Sequence, residues 1–159
     1  SNIISFHSLS KRSNLPGLRS GFAVGDENII TNFKKLRHYC AGQQPIPIQE
    51  AATALWDDDD HAEKNRQKYK KKFQLAKSIF KKDYGFYIPD GGFYLWLNVG
   101  NGEKTTQKLW NKERIKVMPG AYLSREEASK KYIRIALVST IAETNSALKS
   151  IYNLLSNSS

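Results

Sequence analysis

The sequence predicts an α/β chain, and three observations carry that prediction. Apolar runs at Ile3 to Phe6 and Phe22 to Val24 flank a polar loop and read as two strands. Tyr69, Phe73, Ala76 and Phe80 fall at i, i+4, i+7 and i+11, a single face of one long helix. Beyond Gly85 two more apolar runs, Phe93 to Val99 and Tyr132 to Val138, alternate with helical stretches, the pattern of a small α/β or α+β domain.

Taken in order, Ile3 to Phe6 is expected to be a buried strand and Phe22 to Val24 a second one. Gly25 stops that strand and Asp26 is placed to cap a helix from Glu27 to Tyr39. Ala41 to Pro47, with Gly42, Pro45 and Pro47, reads as a loop and a domain boundary. Ile48 to Trp56 reads as helical. The carboxylates of Asp57 to Asp60 suit the positive end of the next helix, expected to run to about Lys82. The turn Pro89-Asp90-Gly91-Gly92 introduces the strand Phe93 to Val99, apolar on both faces. A short helix from Thr105 to Glu113, a strand from Ile115 to Met118, the strand Tyr132 to Val138 and an amphipathic helix from Ile141 to Leu155 complete the chain. The expected organisation is residues 1–45, residues 46–82 with the linking helices, and residues 83–159 as a small domain.

Composition narrows the classes. Hydrophobic residues at 40% supply a core for these 159 residues and exclude wholesale disorder. A net charge of +10 suits nucleic acid, anionic lipid, an acidic substrate or a phosphorylated ligand equally. Cys40 is the single cysteine, which removes an internal disulfide and fits a reducing compartment. With no bilayer-length apolar stretch and no charged-then-apolar leader, the expected setting is cytoplasmic.

The most informative segment is Ser8-Leu9-Ser10-Lys11-Arg12-Ser13-Asn14-Leu15-Pro16-Gly17-Leu18-Arg19-Ser20-Gly21. It sets one amine, several hydroxyls and Arg19 between two strands. A lysine that bonds to a phosphorylated aldehyde needs that combination, a nucleophilic amine beside phosphate ligands. Most single lysines are solvated surface groups. Here Ser8, Ser10 and Arg19 keep Lys11 company, and an arginine fork with serine hydroxyls matches a phosphate. Positive charge on Arg12 and Arg19 would help Lys11 shed its proton.

Arg134 stands in Tyr132-Ile133-Arg134-Ile135-Ala136-Leu137-Val138. A guanidinium flanked by apolar residues in a core strand is costly unless paired, either by an internal carboxylate or by a ligand. Gly91-Gly92 and Pro119-Gly120 read as ordinary turns as readily as ligand approaches. Tyr94, Trp96 and Tyr122 read as core or pocket wall. His7, His38, His61 and Cys40 lack metal-ligand spacing, so no metal site is expected.

These motifs resemble the fold-type-I, class I and II aminotransferases, and within them the succinyldiaminopimelate aminotransferase family. The resemblance runs through Ser13 to Arg19, Pro47-Ile48-Gln49-Glu50-Ala51-Ala52, Asn65-Arg66, Pro89 to Asn98, Val117-Met118-Pro119-Gly120-Ala121-Tyr122-Leu123 and Ile133 to Val138. It implies the C-terminal portion of such an enzyme: the tail of the large cofactor-binding domain, a long linking helix and the small domain. It also implies pyridoxal 5'-phosphate as cofactor, with Lys11 bonded to its aldehyde and later shuttling a proton at the substrate α-carbon. Ser8, Ser10 and Arg19 would hold the phosphate, and Arg134 the substrate α-carboxylate. The implied reaction moves an amino group from glutamate to an N-succinylated 2-amino-6-oxopimelate, in diaminopimelate and lysine biosynthesis. The full enzyme would be a homodimer.

In that family the acidic residue against the pyridine nitrogen, the ring-stacking aromatic and the glycine-containing phosphate loop all lie upstream of the lysine. The expectation is therefore that this chain alone has little or no transaminase activity. The alternatives are a basic nucleic-acid-binding module and a non-catalytic remnant. The first rests on Lys64, Lys68, Lys70, Lys71, Lys72, Lys77, Lys81 and Lys82, though these largely avoid the apolar face, as solvated residues do.

Overall fold

The computed structural model describes residues 2–157. The chain divides into two compact units, the first ending at Arg66 and the second beginning at Gln67. The division falls inside a single helix.

In the first unit, strands β1 (Ile4–Ser8) and β2 (Gly21–Gly25) form an antiparallel pair, with Ser8 opposite Gly21 and Ile4 opposite Gly25. The expected burial of Ile3 to Phe6 does not occur. Phe6 is 64% exposed and Ile3 66%, because a two-stranded ribbon leaves both faces open. The Lys11 segment is less of a loop than expected: Leu9–Arg12 make one helical turn, α1, capped when the Ser8 hydroxyl accepts from the Ser10 N–H at 3.2 Å. Helix α2 (Glu27–Cys40) starts as anticipated, with the Asp26 carboxylate accepting from the Asn28 and Ile29 N–H groups. Helix α3 (Ile46–Asp57) begins earlier than the sequence suggests. Pro47 sits in its first turn, where the absent N–H would have had no partner.

Helix α4 (Asp60–Phe80) opens on Asp58, whose carboxylate accepts from the N–H groups of Asp60 and His61. It ends two residues short of Lys82, because Lys81 turns left-handed at φ 52°. In the second unit Phe73, Ala76 and Phe80 of this helix are buried, as their spacing predicts. They meet a three-stranded antiparallel sheet ordered β3-β5-β4, formed by Tyr94–Asn98, Tyr132–Ala136 and Met118–Pro119. Leu95, Leu97, Ile133 and Ile135 face the core, which α5 (Gly102–Glu113) completes with Leu109, and α6 (Ile141–Ser156) with Leu148 and Ile151. The strand expected over Ile115 to Met118 shrinks to Met118–Pro119, since α5 closes through a left-handed Arg114 and Ile115 donates back to Leu109 O. Strand β5 stops at Ala136 instead of Val138, which leaves Val138 62% exposed.

Candidate functional site

The hairpin gathers the Lys11 segment at one end. Leu9 N–H donates to Ser20 O at 3.1 Å and the Ser8 hydroxyl to the same oxygen at 3.5 Å, so α1 is stitched to the stretch carrying Arg19. Arg19 is left-handed at φ 51°, and its Nη1 donates to Pro16 O at 2.8 Å. Gln44 braces this turn from the far side. Its Nε2 donates to Arg19 O and Leu18 O, and its Oε1 accepts from the buried Ser20 hydroxyl. Nothing in the sequence marked Gln44, which looked like linker.

Four residues of the anticipated set, Ser8, Ser10, Lys11 and Arg19, thus lie on one turn of helix and the adjoining hairpin end. Their donors are two hydroxyls, an ammonium and a guanidinium, a chemistry that fits a phosphate and an aldehyde. Lys11 and Arg19 are exposed side chains. Arg12 belongs elsewhere. Its guanidinium donates to Leu55 O at 2.7 Å, pairs with Asp59 and lies 5.0 Å from the centre of the Trp56 ring, so its charge is not directed at Lys11. Ser13 is likewise structural, buried with its hydroxyl 2.8 Å from His61 Nε2. His61 Nδ1 in turn stands 2.9 Å from Asp58, whose carboxyl that bond holds below the usual range. An open cleft of about 760 Å³ in this unit is lined by Arg19, Arg37, Phe6, Phe22, Phe33 and Gln44 among others; Ser8, Ser10 and Lys11 lie outside its lining.

Arg134 occupies the central strand of the second unit, directly opposite Trp96 on one side and Met118 on the other. Alternation along β5 points Ile133 and Ile135 into the core and Arg134 to the other face. The sequence placed this guanidinium in a core strand, to be paired by an internal carboxylate or by a ligand; the structure instead has it half-buried on the outer face. It lies 4.3 Å from the centre of the Tyr94 ring and has no carboxylate partner among the described residues. A cation held by an aromatic face keeps its N–H fork available to a ligand. Trp96 stacks on Tyr132 at 5.3 Å, extending the aromatic surface. Tyr122 is exposed and lines, with Trp110 and Met118, a second cleft of about 580 Å³.

The lysine run of α4 is not uniformly solvated. Lys72 is 7% exposed and donates to Leu137 O at 2.8 Å, a residue the helical pattern passed over. No group of three or more His, Cys, Asp and Glu suited to a metal occurs among the described residues, and no described helix is long and apolar enough to cross a membrane.

Comparison with known proteins decides the family: residues 1–151 match Aminotransferase class I and II. The chain belongs to that family. Its members depend on pyridoxal phosphate. The aminotransferase AspB of Helicobacter pylori superposes with a TM-score of 0.92 at 38% identity, covering 99% of this chain and 41% of that one. A 4-dedimethylamino-4-oxo-anhydrotetracycline transaminase of Streptomyces rimosus is 35% identical over 87% of this chain and 38% of its own. An LL-diaminopimelate aminotransferase of Natranaerobius thermophilus is 31% identical over 93% of this chain and 39% of its own. The chain thus spans about 40% of the length of the aminotransferases it matches. The α/β architecture is that of fold-type-I aminotransferases.

Proposed function

We propose that this chain is the C-terminal part of a pyridoxal-phosphate-dependent aminotransferase, moving an amino group from glutamate to an N-succinylated 2-amino-6-oxopimelate. The observation that carries the substrate side of this reading is Arg134, a half-buried guanidinium resting on Tyr94 with no carboxylate of its own. An α-carboxylate would complete it through two parallel hydrogen bonds, geometry that a lysine lacks.

In this reading Ser8, Ser10 and Arg19 bind the cofactor phosphate and Lys11 Nζ binds its aldehyde end. When bound, the cofactor withdraws electrons from the substrate α-carbon. Lys11 Nζ would then carry the proton from that carbon to the cofactor, the general acid–base work an amine performs once it is uncharged. Residues 1–45 are assigned to the tail of the cofactor domain, 46–82 to the linking helices and 83–159 to the small domain. The proposed setting is a cytoplasmic homodimer, supported by the family and by the single, exposed Cys40.

The test is incubation of the chain with pyridoxal phosphate, borohydride reduction and peptide mapping. Label concentrated on Lys11 is expected; label spread over the many lysines, or none, overturns the site. The chain alone is expected to show little or no turnover, and turnover that disappears in Lys11→Ala would refute that part. For the acyl group, saturation-transfer NMR should show N-succinyl-LL-diaminopimelate contacting the chain, with loss in Arg134→Lys. Equal contact by the unsuccinylated amino acid would remove the succinyl preference.

A further inference from the structure

Lys72 is the one buried lysine among the described residues, and the proposed reaction gives it no part. Its ammonium has no carboxylate partner among the described residues. It is held by one hydrogen bond, to Leu137 O at 2.8 Å, and by the Tyr69 ring, whose centre is 5.0 Å away. Burial, with Lys68 nearby, holds this ammonium below the ordinary lysine value. A methionine would fill the same space without desolvating a charge, so packing alone does not account for a lysine here.

Leu137 is the first residue beyond β5, and its own N–H donates to Phe93 O at 2.9 Å, just before β3 begins. One residue therefore ties together the strand carrying Arg134 and the strand carrying Tyr94, and Lys72 fixes that residue from helix α4. A second route runs through rings. Tyr69, beneath the Lys72 ammonium, lies 5.6 Å from Phe93; Phe93 lies 4.3 Å from Tyr94; and Tyr94 carries Arg134. We propose that Lys72 is a positioning residue for Arg134, holding the Leu137 junction and, through Tyr69 and Phe93, the Tyr94 ring on which the guanidinium rests. The proposal rests on the reading of Arg134 as the carboxylate ligand. A guanidinium free to leave its ring would lose the fixed fork that bidentate recognition needs.

The test uses the full chain, labelled with nitrogen-15, and follows the Arg134 Nε–Hε resonance, assigned by its loss in Arg134→Lys. Tyr94 should shift that resonance through its ring current. Lys72→Met is expected to move it toward the position of a free arginine and weaken L-glutamate binding about tenfold. Lys72→Arg, which keeps a donor for Leu137 O, should restore both, whereas a loss of packing alone would leave the resonance where it was. An unmoved resonance in a folded Lys72→Met chain overturns the proposal, whatever the binding. If wild-type chain and Arg134→Lys bind L-glutamate equally, the carboxylate reading fails, and the resonance alone still decides the positioning role. Should Lys72→Met not fold, Tyr69→Leu leaves the Leu137 bond intact and breaks the ring route. It is expected to displace the same resonance, and no displacement overturns the proposal.

Discussion

Gly120 follows Pro119 where the chain leaves β4, and a Cβ there would fall against the Ser129 carbonyl and 3.0 Å from the Trp96 ring. Neither neighbour can retreat freely, since Trp96 is stacked on Tyr132 and lies opposite Arg134. Gly120→Ala is expected to cost about 1–3 kcal/mol of stability, read from urea unfolding, as overpacking of a close approach does. Sequence alone left Pro119-Gly120 balanced between a turn and a ligand approach; what requires glycine there is the close approach of the Ser129 carbonyl and the Trp96 ring, which no local pattern announces. The same limit explains Arg134 and Lys72. Apolar neighbours along β5 suggested a core position, but alternation in a one-sided sheet puts Arg134 on the outer face. For Lys72 the helical pattern located the Tyr69-Phe73-Ala76-Phe80 face, while what covers its margin depends on where Leu137 ends its strand.

Helix α6 shows how much an element's own sequence can settle. The apolar spacing over Ile141 to Leu155 predicts an amphipathic helix, and the structure shows it over Ile141–Ser156 with Leu148, Ile151, Leu154 and Leu155 buried, started by a Thr140–Glu143 capping box. The Thr140 hydroxyl accepts from Glu143 N–H at 3.3 Å, and the Glu143 carboxylate accepts from Thr140 N–H and hydroxyl at 2.9 and 2.8 Å. Those bonds hold the Glu143 carboxyl below its usual value near 4.5. The unfolded chain therefore binds this proton first as pH falls. The stabilisation is present above about pH 4.5 and lost as pH drops through the lower, folded value. Thermal melts should show Glu143→Gln less stable than wild type at neutral pH, with the gap closing below pH 4. Thr140→Ala should cost about 1 kcal/mol at neutral pH, as loss of a helix cap does. Short elements were less legible. Strand β4 has two residues, too few for any period to announce, and α1 is a single turn whose cap, Ser8, also ends a strand.

The two units differ in how much apolar surface they bury. The second owns a continuous core of fourteen buried residues from Phe73 to Leu155. In the first, the buried apolar residues among those described are Leu9, Ala52 and Ala62, small except for one. Burial at this scale sets resistance to local opening. Hydrogen exchange should therefore find β3, β5 and α6 amides the most protected, and those of β1 and β2 exchanging faster by orders of magnitude. Equal protection in the two units would contradict the description. Among the described residues both strands of the β1–β2 ribbon are edge strands, unpaired along one side and carrying Phe6, Phe22 and Val24 in the open. Such a ribbon is adhesive. The chain should become turbid as it is concentrated, and a serine at Phe6, or a lysine at Val24, should raise the concentration at which clouding begins, with no other change in the molecule.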